Sequence, residues 1–281
     1  STSAIFFCRG YLGIFGLHSK TKVAMEKMFY QSNPIVKRTI DYLKGKERIL
    51  FLTTSNRYDK DDDQPKSTAL AYYLANEIRA FGKSTVNVIE VPQLKIYPCE
   101  GNVSSKGGNN CGVLASKLKD AAKNPTGDIR CWASYNNQDD ELYKVANAIF
   151  DADVVVFFAS VRWGQANSFY QKLIERLNWI ENRRTTLNEG DIILGKESGF
   201  ICLGQNWNGN QVCSTQKKVL GYYGFKTPMQ LFWNWQYTDD VDDESASSYK
   251  KAIIVFENTF KISMKYFIGH LSRFRALFSR R

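Results

Sequence analysis

Hydroxyl and guanidinium donors gather in one short stretch of the chain, residues 54–68. Side chains of this kind donate hydrogen bonds to anions, and an amphipathic run typical of a helix begins at the end of the stretch. The first turn of a helix favours an anion, because its amides have no acceptor within the helix. The candidate ligands are Thr54, Ser55, Arg57, Ser67 and Thr68. This donor set suits a phosphate group.

A second loop combines an aromatic ring with small residues. It consists of Ser160, Val161, Arg162, Trp163 and Gly164. The indole offers a flat apolar wall, while the glycine and the arginine offer donors. A third polar loop contains Gly204, Asn206, Asn208 and Gly209. Together the three loops suit a planar, anionic cofactor.

The segments around these loops predict a parallel sheet. Apolar runs at 48–54, 153–159 and 199–203 are typical of strands buried on both faces. Further strands are expected at 85–91 and 229–233, and helices at 67–78, 141–151, 168–177 and 212–223, with a last helix from about Ser248. Ser67 or Thr68 is the expected N-cap of the first of these helices. This alternation indicates a doubly wound α/β fold, in which ligands bind at the carboxyl ends of the strands.

These motifs resemble those of the flavodoxin-like NAD(P)H-dependent FMN reductases and quinone reductases, over roughly residues 47–235. The first loop of that family is matched by Ser55, Arg57, Ser67 and Leu70-Ala71. The second loop and its helix are matched by Ser160, Trp163, Gly164, Lys172, Ile174, Glu175 and Arg176. Gly204, Gly209 and Gly224-Phe225 resemble the third loop. The chain departs from the family in an acidic insertion at residues 58–65.

The resemblance implies a five-stranded parallel sheet in the order 2-1-3-4-5. It also implies FMN as cofactor and NAD(P)H as co-substrate. Ser55, Arg57, Ser67 and Thr68 would then hold the phosphate, Trp163 would bound the flavin ring, and Arg162 and Gly164 would hydrogen-bond to it. No catalytic acid or base is expected from the protein, because a flavin carries the chemistry itself.

Charge divides the chain into three parts. Residues 1–46 carry a net charge of +6 and residues 250–281 carry +7, whereas residues 47–249 carry −3. The net charge of +10 therefore arises in the flanks, and a nucleic-acid footprint on the central domain is not expected. We predict a basic N-terminal arm at 1–46, a flavodoxin-like FMN-binding domain at 47–267 and a basic amphipathic extension at 268–281.

The two flanks support several interpretations. Apolar residues from Ile253 to Phe278 recur every three or four positions, which predicts a long amphipathic helix. Its basic end suits either peripheral contact with an anionic membrane or an acidic partner, or else a solvated end or an oligomer contact. The apolar segment 4–17 resembles a mitochondrial transit peptide, but we interpret it as an ordered arm. It is too short to span a membrane. We expect a soluble or peripheral protein, cytoplasmic or mitochondrial.

Cysteine and histidine offer little for catalysis. The spacing of Cys99, Cys111 and Cys131 matches no compact metal site, which favours free thiols in a reducing compartment. A disulfide between Cys99 and Cys111 is the alternative, and Cys202 is expected to be a core residue. The chain has only two histidines, so neither a His-based catalytic triad nor a His-rich metal site is expected, and no metal is expected.

The functional prediction is therefore an FMN-dependent NAD(P)H oxidoreductase. It would pass electrons to a quinone or another small acceptor, as a homo-oligomer or as a subunit of a complex. The alternative is a flavodoxin-like scaffold without redox activity, acting as an interaction subunit of a larger and perhaps membrane-associated assembly. The acidic insertion and the basic flanks favour that alternative.

Overall fold

A computed structural model describes residues 30–31, 33–56, 64–101, 110–204 and 208–236 of the 281-residue chain. Pro34–Asn234 forms one compact unit. The other described residues belong to a second unit, in which the rings of Tyr30 and Trp235 meet edge to face at 6.1 Å between centroids. The C-terminal extension and the helix expected from Ser248 lie outside the described residues. The predicted three-part division stays a prediction.

Within the described ranges, six strands form one sheet. They are β1 (Arg48–Thr53), β2 (Thr85–Glu90), β3 (Val154–Arg162), β4 (Gln165–Ala166), β5 (Glu197–Gly204) and β6 (Phe232–Gln236). The order is β2-β1-β3-β5-β6, with β4 paired to β3 alone. Pairing is parallel between β1 and β2, β1 and β3, and β3 and β5. Apart from β4, this order is the predicted 2-1-3-4-5, so the flavodoxin-like fold is confirmed.

Helices connect the parallel strands. The described α-helices are α1 (Pro34–Leu43), α2 (Lys66–Ala80), α3 (Trp132–Asn136), α4 (Leu142–Asp151), α5 (Ser168–Thr185) and α6 (Gly209–Tyr223). The helix α1 lies in the segment predicted to be an N-terminal arm, yet it belongs to the same compact unit as the sheet. The Thr39 hydroxyl donates to the carbonyl of Gln230 at 3.2 Å, and Tyr42 donates to Glu197 at 2.8 Å.

The core forms because the central strands are apolar on both faces. Residues Val154–Ala159 of β3 are fully buried, as are the middle residues of β1 and β5. On α5, Tyr170 packs edge-on against Phe157 and Phe200, with ring centroids 5.6 and 4.8 Å away. Burial of each such side chain contributes about 1.5–3 kcal/mol, so the three-ring cluster fixes α5 firmly on the sheet. Cys202 is fully buried in β5, as predicted.

Three local predictions were wrong. Neither Ser67 nor Thr68 is an N-cap: α2 begins at Lys66 after Pro65, whose fixed φ of −54° suits a helix entry. The strand β3 does not end at residue 159 but continues to Arg162, because a hairpin with β4 supplies it with further hydrogen bonds. The last strand begins at Phe232, since a 3-10 turn at Met229–Leu231 follows Pro228.

A buried ion pair joins the long connection between β2 and α4 to helix α5. The Arg176 guanidinium donates to both carboxylate oxygens of Asp140, at 2.9 and 2.8 Å. It also donates to the Tyr97 carbonyl at 2.6 Å, to the Ser134 hydroxyl at 2.8 Å and to the Cys131 sulfur at 3.3 Å. Burial disfavours both charges, but these hydrogen bonds outweigh it and hold the pKa of Asp140 below its ordinary value. Arg176 therefore anchors this connection to the fold.

Candidate functional site

The three predicted loops lie at one edge of the sheet. Because β1, β3 and β5 are parallel, their carboxyl ends lie side by side: Thr53 is paired with Phe158, and Ser160 with Leu203. The amide of Thr54 donates to the Phe158 carbonyl at 2.9 Å and carries the β1–β3 ladder one residue further. The topology thus brings the described residues of loops one, two and three to the same edge.

The first loop contains a small hydroxyl cluster. The Ser67 hydroxyl donates to that of Ser55 at 2.7 Å, and both side chains are buried. The Thr54 hydroxyl donates to the Phe158 carbonyl at 3.0 Å and accepts from the Asn167 amide at 3.1 Å, so its hydrogen is already committed within the protein. In this arrangement the Ser55 hydroxyl can donate to a further acceptor.

The N-terminus of α2 completes this cluster. Pro65, the N-cap residue, makes no side-chain capping bond, and the first turn contains Ser67 and Thr68, whose amides have no acceptor within the helix. The Thr68 side chain is fully buried, and its hydroxyl has no hydrogen-bond partner in the described structure. A buried hydroxyl left in this state costs about 1–3 kcal/mol. An acceptor placed at this helix end would meet amides and hydroxyls together.

The second loop is a tight hairpin rather than an open loop. In the β3–β4 register, Val161 lies opposite Ala166 and Arg162 opposite Gln165, which leaves Trp163 and Gly164 as the two-residue turn. Both have positive φ, 49° and 71°, as in a type I′ turn. A tryptophan in this conformation is strained by an amount on the order of 1–3 kcal/mol. Its side chain is nonetheless 88% exposed, so the fold presents a flat aromatic ring at this edge.

The third loop is joined to the hairpin. Asn208 has a φ of 76°, and its side-chain amide donates to the Gly164 carbonyl at 2.9 Å. Asn208 is the N-cap residue of α6, but its side chain does not cap the helix. Gly204, at the end of β5, lies so close to Val161 that a Cβ there would be 3.3 Å from its atoms. Loops two and three therefore form one connected surface.

Some of the predicted site residues lie outside the described residues. Arg57 and Asn206 lie in segments that are not described, and with them most of the acidic insertion. Ser160 is partly buried and Val161 buried within β3, while Arg162 is exposed at the strand end. Gly209 begins α6, against the side chain of Asn234. The roles of all these residues as ligands stay predictions.

One residue at this edge was missed in the sequence. Asn167 is the N-cap of α5: its side-chain oxygen accepts from the Tyr170 amide at 3.1 Å. Its amide donates to Thr54 at 3.1 Å and to the Ser160 hydroxyl at 3.2 Å. An Asn directly before Ser168 and an amphipathic run is a recognisable N-cap signal, although its contact with the first loop is not visible in the sequence.

Other candidate sites in the described residues are few. A cavity of about 520 Å³ lies in the connection between β2 and α4, and none of the predicted site residues lines it. No cluster of three or more metal-ligating side chains occurs in the described ranges. Cys99 and Cys111 are both free thiols, so the alternative disulfide is not formed. Among these residues no helix has the length and apolarity that a membrane span needs.

Known proteins resemble this chain in fold rather than in sequence. No protein-family model matches it, and no curated protein is significantly similar. Among solved structures, RosB with the bound intermediate 8-demethyl-8-formylriboflavin-5′-phosphate is 14% identical, with a TM-score of 0.52 over 74% of each chain. An azoreductase from Bacillus anthracis str. Sterne is 14% identical over 75% of this chain and 99% of its own, with a TM-score of 0.42. The RosB likeness independently confirms the fold.

Proposed function

We propose that this protein is an FMN-dependent NAD(P)H oxidoreductase that reduces a quinone or another small acceptor. The observation that carries the proposal is the donor cluster at the start of α2, with its Ser55–Ser67 hydroxyl pair and the Thr68 hydroxyl, which has no partner among the described residues. A phosphate at a helix N-terminus requires donors of this kind. RosB, which shares the fold, has a bound intermediate, 8-demethyl-8-formylriboflavin-5′-phosphate.

The residues present fit this cofactor at both of its ends. Ser55, Ser67, Thr68 and the first amides of α2 would hold the phosphate, with Arg57 as a further predicted ligand. Trp163 would supply a flat wall for the ring, and the amide of Gly164 a nearby donor. When bound, FMN would accept hydride from a nicotinamide and pass electrons to the acceptor.

The protein groups at this edge bind and orient rather than transfer protons. Thr54 has its hydroxyl hydrogen bonded to a carbonyl, and Asn167 and Asn208 use their amides within the protein. The strained Trp163 turn presents an exposed aromatic ring at this edge, which suits contact with a ligand or a partner. This pattern is consistent with a protein that leaves the chemistry to its cofactor.

The direct test is titration of the purified 281-residue chain with FMN. We expect the flavin absorption band and quenched flavin fluorescence on binding, followed by bleaching with NADH or NADPH and recovery with a quinone. Trp163→Ala is expected to weaken FMN binding about 2–10-fold, the range for one aromatic stacking contact. Trp163→Phe, which keeps a flat ring, is the matched control. A colourless protein that does not bind added FMN would rule the proposal out.

A further inference from the structure

Asn167 lies between the hairpin strand β4 and helix α5, and its side chain is 6% exposed. Its backbone and side-chain polar groups all have hydrogen-bond partners within the protein. Its backbone amide donates to the Ser160 carbonyl at 3.0 Å and so extends the β3–β4 pairing by one step. Its side-chain oxygen caps α5 through the Tyr170 amide.

The side-chain amide of Asn167 makes a separate pair of contacts. It donates to the Thr54 hydroxyl at 3.1 Å and to the Ser160 hydroxyl at 3.2 Å. Thr54 directly precedes Ser55 of the donor cluster, and Ser160 lies in the strand that leads to Trp163. One buried amide group therefore links the segment that carries the donor cluster to the segment that carries the aromatic ring.

We propose that Asn167 is a positioning residue that holds the donor cluster of the first loop and the Trp163 hairpin at a fixed separation, so that a flavin phosphate engages both at once. The inference rests on the proposed function. A ligand that binds through both of its ends gains affinity when the protein holds the two subsites at the right separation, because binding at one end places the other end at its subsite. Loosening the connection between the subsites reduces this gain in affinity, even when each subsite is intact.

The test compares FMN with riboflavin, which lacks the phosphate. Asn167→Ser keeps a good N-cap for α5 but is too short to reach Thr54. We expect its dissociation constant for FMN, measured by flavin fluorescence quenching, to rise roughly 10-fold. Its dissociation constant for riboflavin, which uses the ring end of the site alone, is expected to stay within about 2-fold. A purely structural role for Asn167 does not produce this difference.

Two further variants separate positioning from capping and stability. Asn167→Thr keeps a capping oxygen and removes both N–H donors without adding a charge beside the phosphate, so it gives the same comparison if the serine variant does not fold. Asn124→Ser is the matched control elsewhere in the chain. Asn124 is also buried, and it links loop segments by donating to the Leu118 carbonyl at 2.9 Å and accepting from the Ile129 amide at 3.0 Å. Its replacement is expected to lower the melting temperature and leave the FMN-to-riboflavin affinity ratio unchanged.

The outcomes are distinguishable. If the wild-type chain binds neither flavin, the proposed function fails and this inference fails with it. If the wild type binds FMN but Asn167→Ser and Asn167→Thr leave the affinity ratio at its wild-type value, the proposed function stands and the positioning role is overturned. A selective loss of FMN affinity in both variants, absent in Asn124→Ser, supports the inference.

Discussion

Whether the start of α2 binds a ligand can be tested at a single hydroxyl, that of Thr68. It is fully buried and unpartnered in the described structure, whereas the equally buried Thr39 hydroxyl has two partners. Thr39 donates to the Gln230 carbonyl at 3.2 Å and accepts from the Trp233 indole at 3.0 Å. The two threonines therefore form a natural pair for comparison.

We predict that Thr68→Val raises the free energy of unfolding by about 1 kcal/mol, because it removes an unsatisfied buried hydroxyl. The same change is expected to weaken FMN binding about 5-fold, since a hydrogen bond to the phosphate contributes about 1 kcal/mol. Urea unfolding and flavin titration measure the two effects. Thr39→Val is the control and is expected to destabilise the fold, because it leaves the Trp233 indole without its acceptor. A Thr68→Val variant that loses stability and keeps its FMN affinity would contradict the assignment.

At the scale of elements, the ion pair between Asp140 and Arg176 fixes a long connection onto α5. Neither side chain is exposed, and the pair is bidentate. In the sequence Arg176 matches a family motif, but its partner 36 residues away cannot be inferred from spacing. An exposed pair with comparable geometry, Arg48 with Asp153 at 2.6 Å, joins β1 to the start of β3.

We predict that Asp140→Asn lowers the free energy of unfolding by about 3–5 kcal/mol at pH 7, because it leaves the Arg176 charge buried without its counter-charge. The pKa of Asp140 is depressed in the folded protein, so its contribution is present above its unfolded pKa, near 3.8, and is lost as the pH falls through the lower folded value. Wild-type stability is therefore expected to fall more steeply than that of the variant below about pH 4. Urea unfolding across a pH series tests both statements. Asp153→Asn is the control, with a much smaller effect because water screens that pair.

The elements also show which features the sequence can predict. Strand identity follows from runs such as Val154–Ala159, whose apolar composition leaves few alternatives. The common position of the three loops follows because parallel strands end at the same edge of the sheet. The hairpin at Trp163 was missed because two-residue turns of this type usually contain Asn-Gly or Asp-Gly, and Trp163-Gly164 breaks that rule. The contacts of Asn167 with Thr54 were missed for another reason. They join residues 113 positions apart, and no local pattern encodes that distance.

At the scale of the whole molecule, the accessibility of the thiols indicates how well the fold shields its interior from solvent. Of the five cysteines in the described residues, Cys111, Cys131, Cys202 and Cys213 are buried and Cys99 is partly exposed. Burial raises the pKa of Cys111 to about 12 and that of Cys213 to about 12, and it also raises the pKa of Cys99. The thiolate is the reactive form, so all of these thiols are expected to react slowly near neutral pH.

We predict that, among these five, alkylation of the native chain modifies Cys99 first, at a rate that rises with pH as the thiolate forms. The other four are expected to react only in denaturant, because their sulfur atoms lie inside the fold. Timed iodoacetamide labelling followed by peptide mass spectrometry measures each site. Labelling of Cys202 in denaturant is the internal control for reagent activity. Rapid modification of Cys111 or Cys131 in the native chain would show that the connection between β2 and α4 opens readily.

The two-residue turn at Trp163-Gly164 also constrains how this protein can diverge. A residue inserted at this turn would require either a longer, bulged loop or a shift of one residue in the β3–β4 register. A shift in register would turn the Asn167 side chain away from Thr54, whereas a longer loop would leave that contact in place. Relatives of this chain that change the length of the turn and keep the asparagine are therefore expected to absorb the change in the loop and not in the strand pairing.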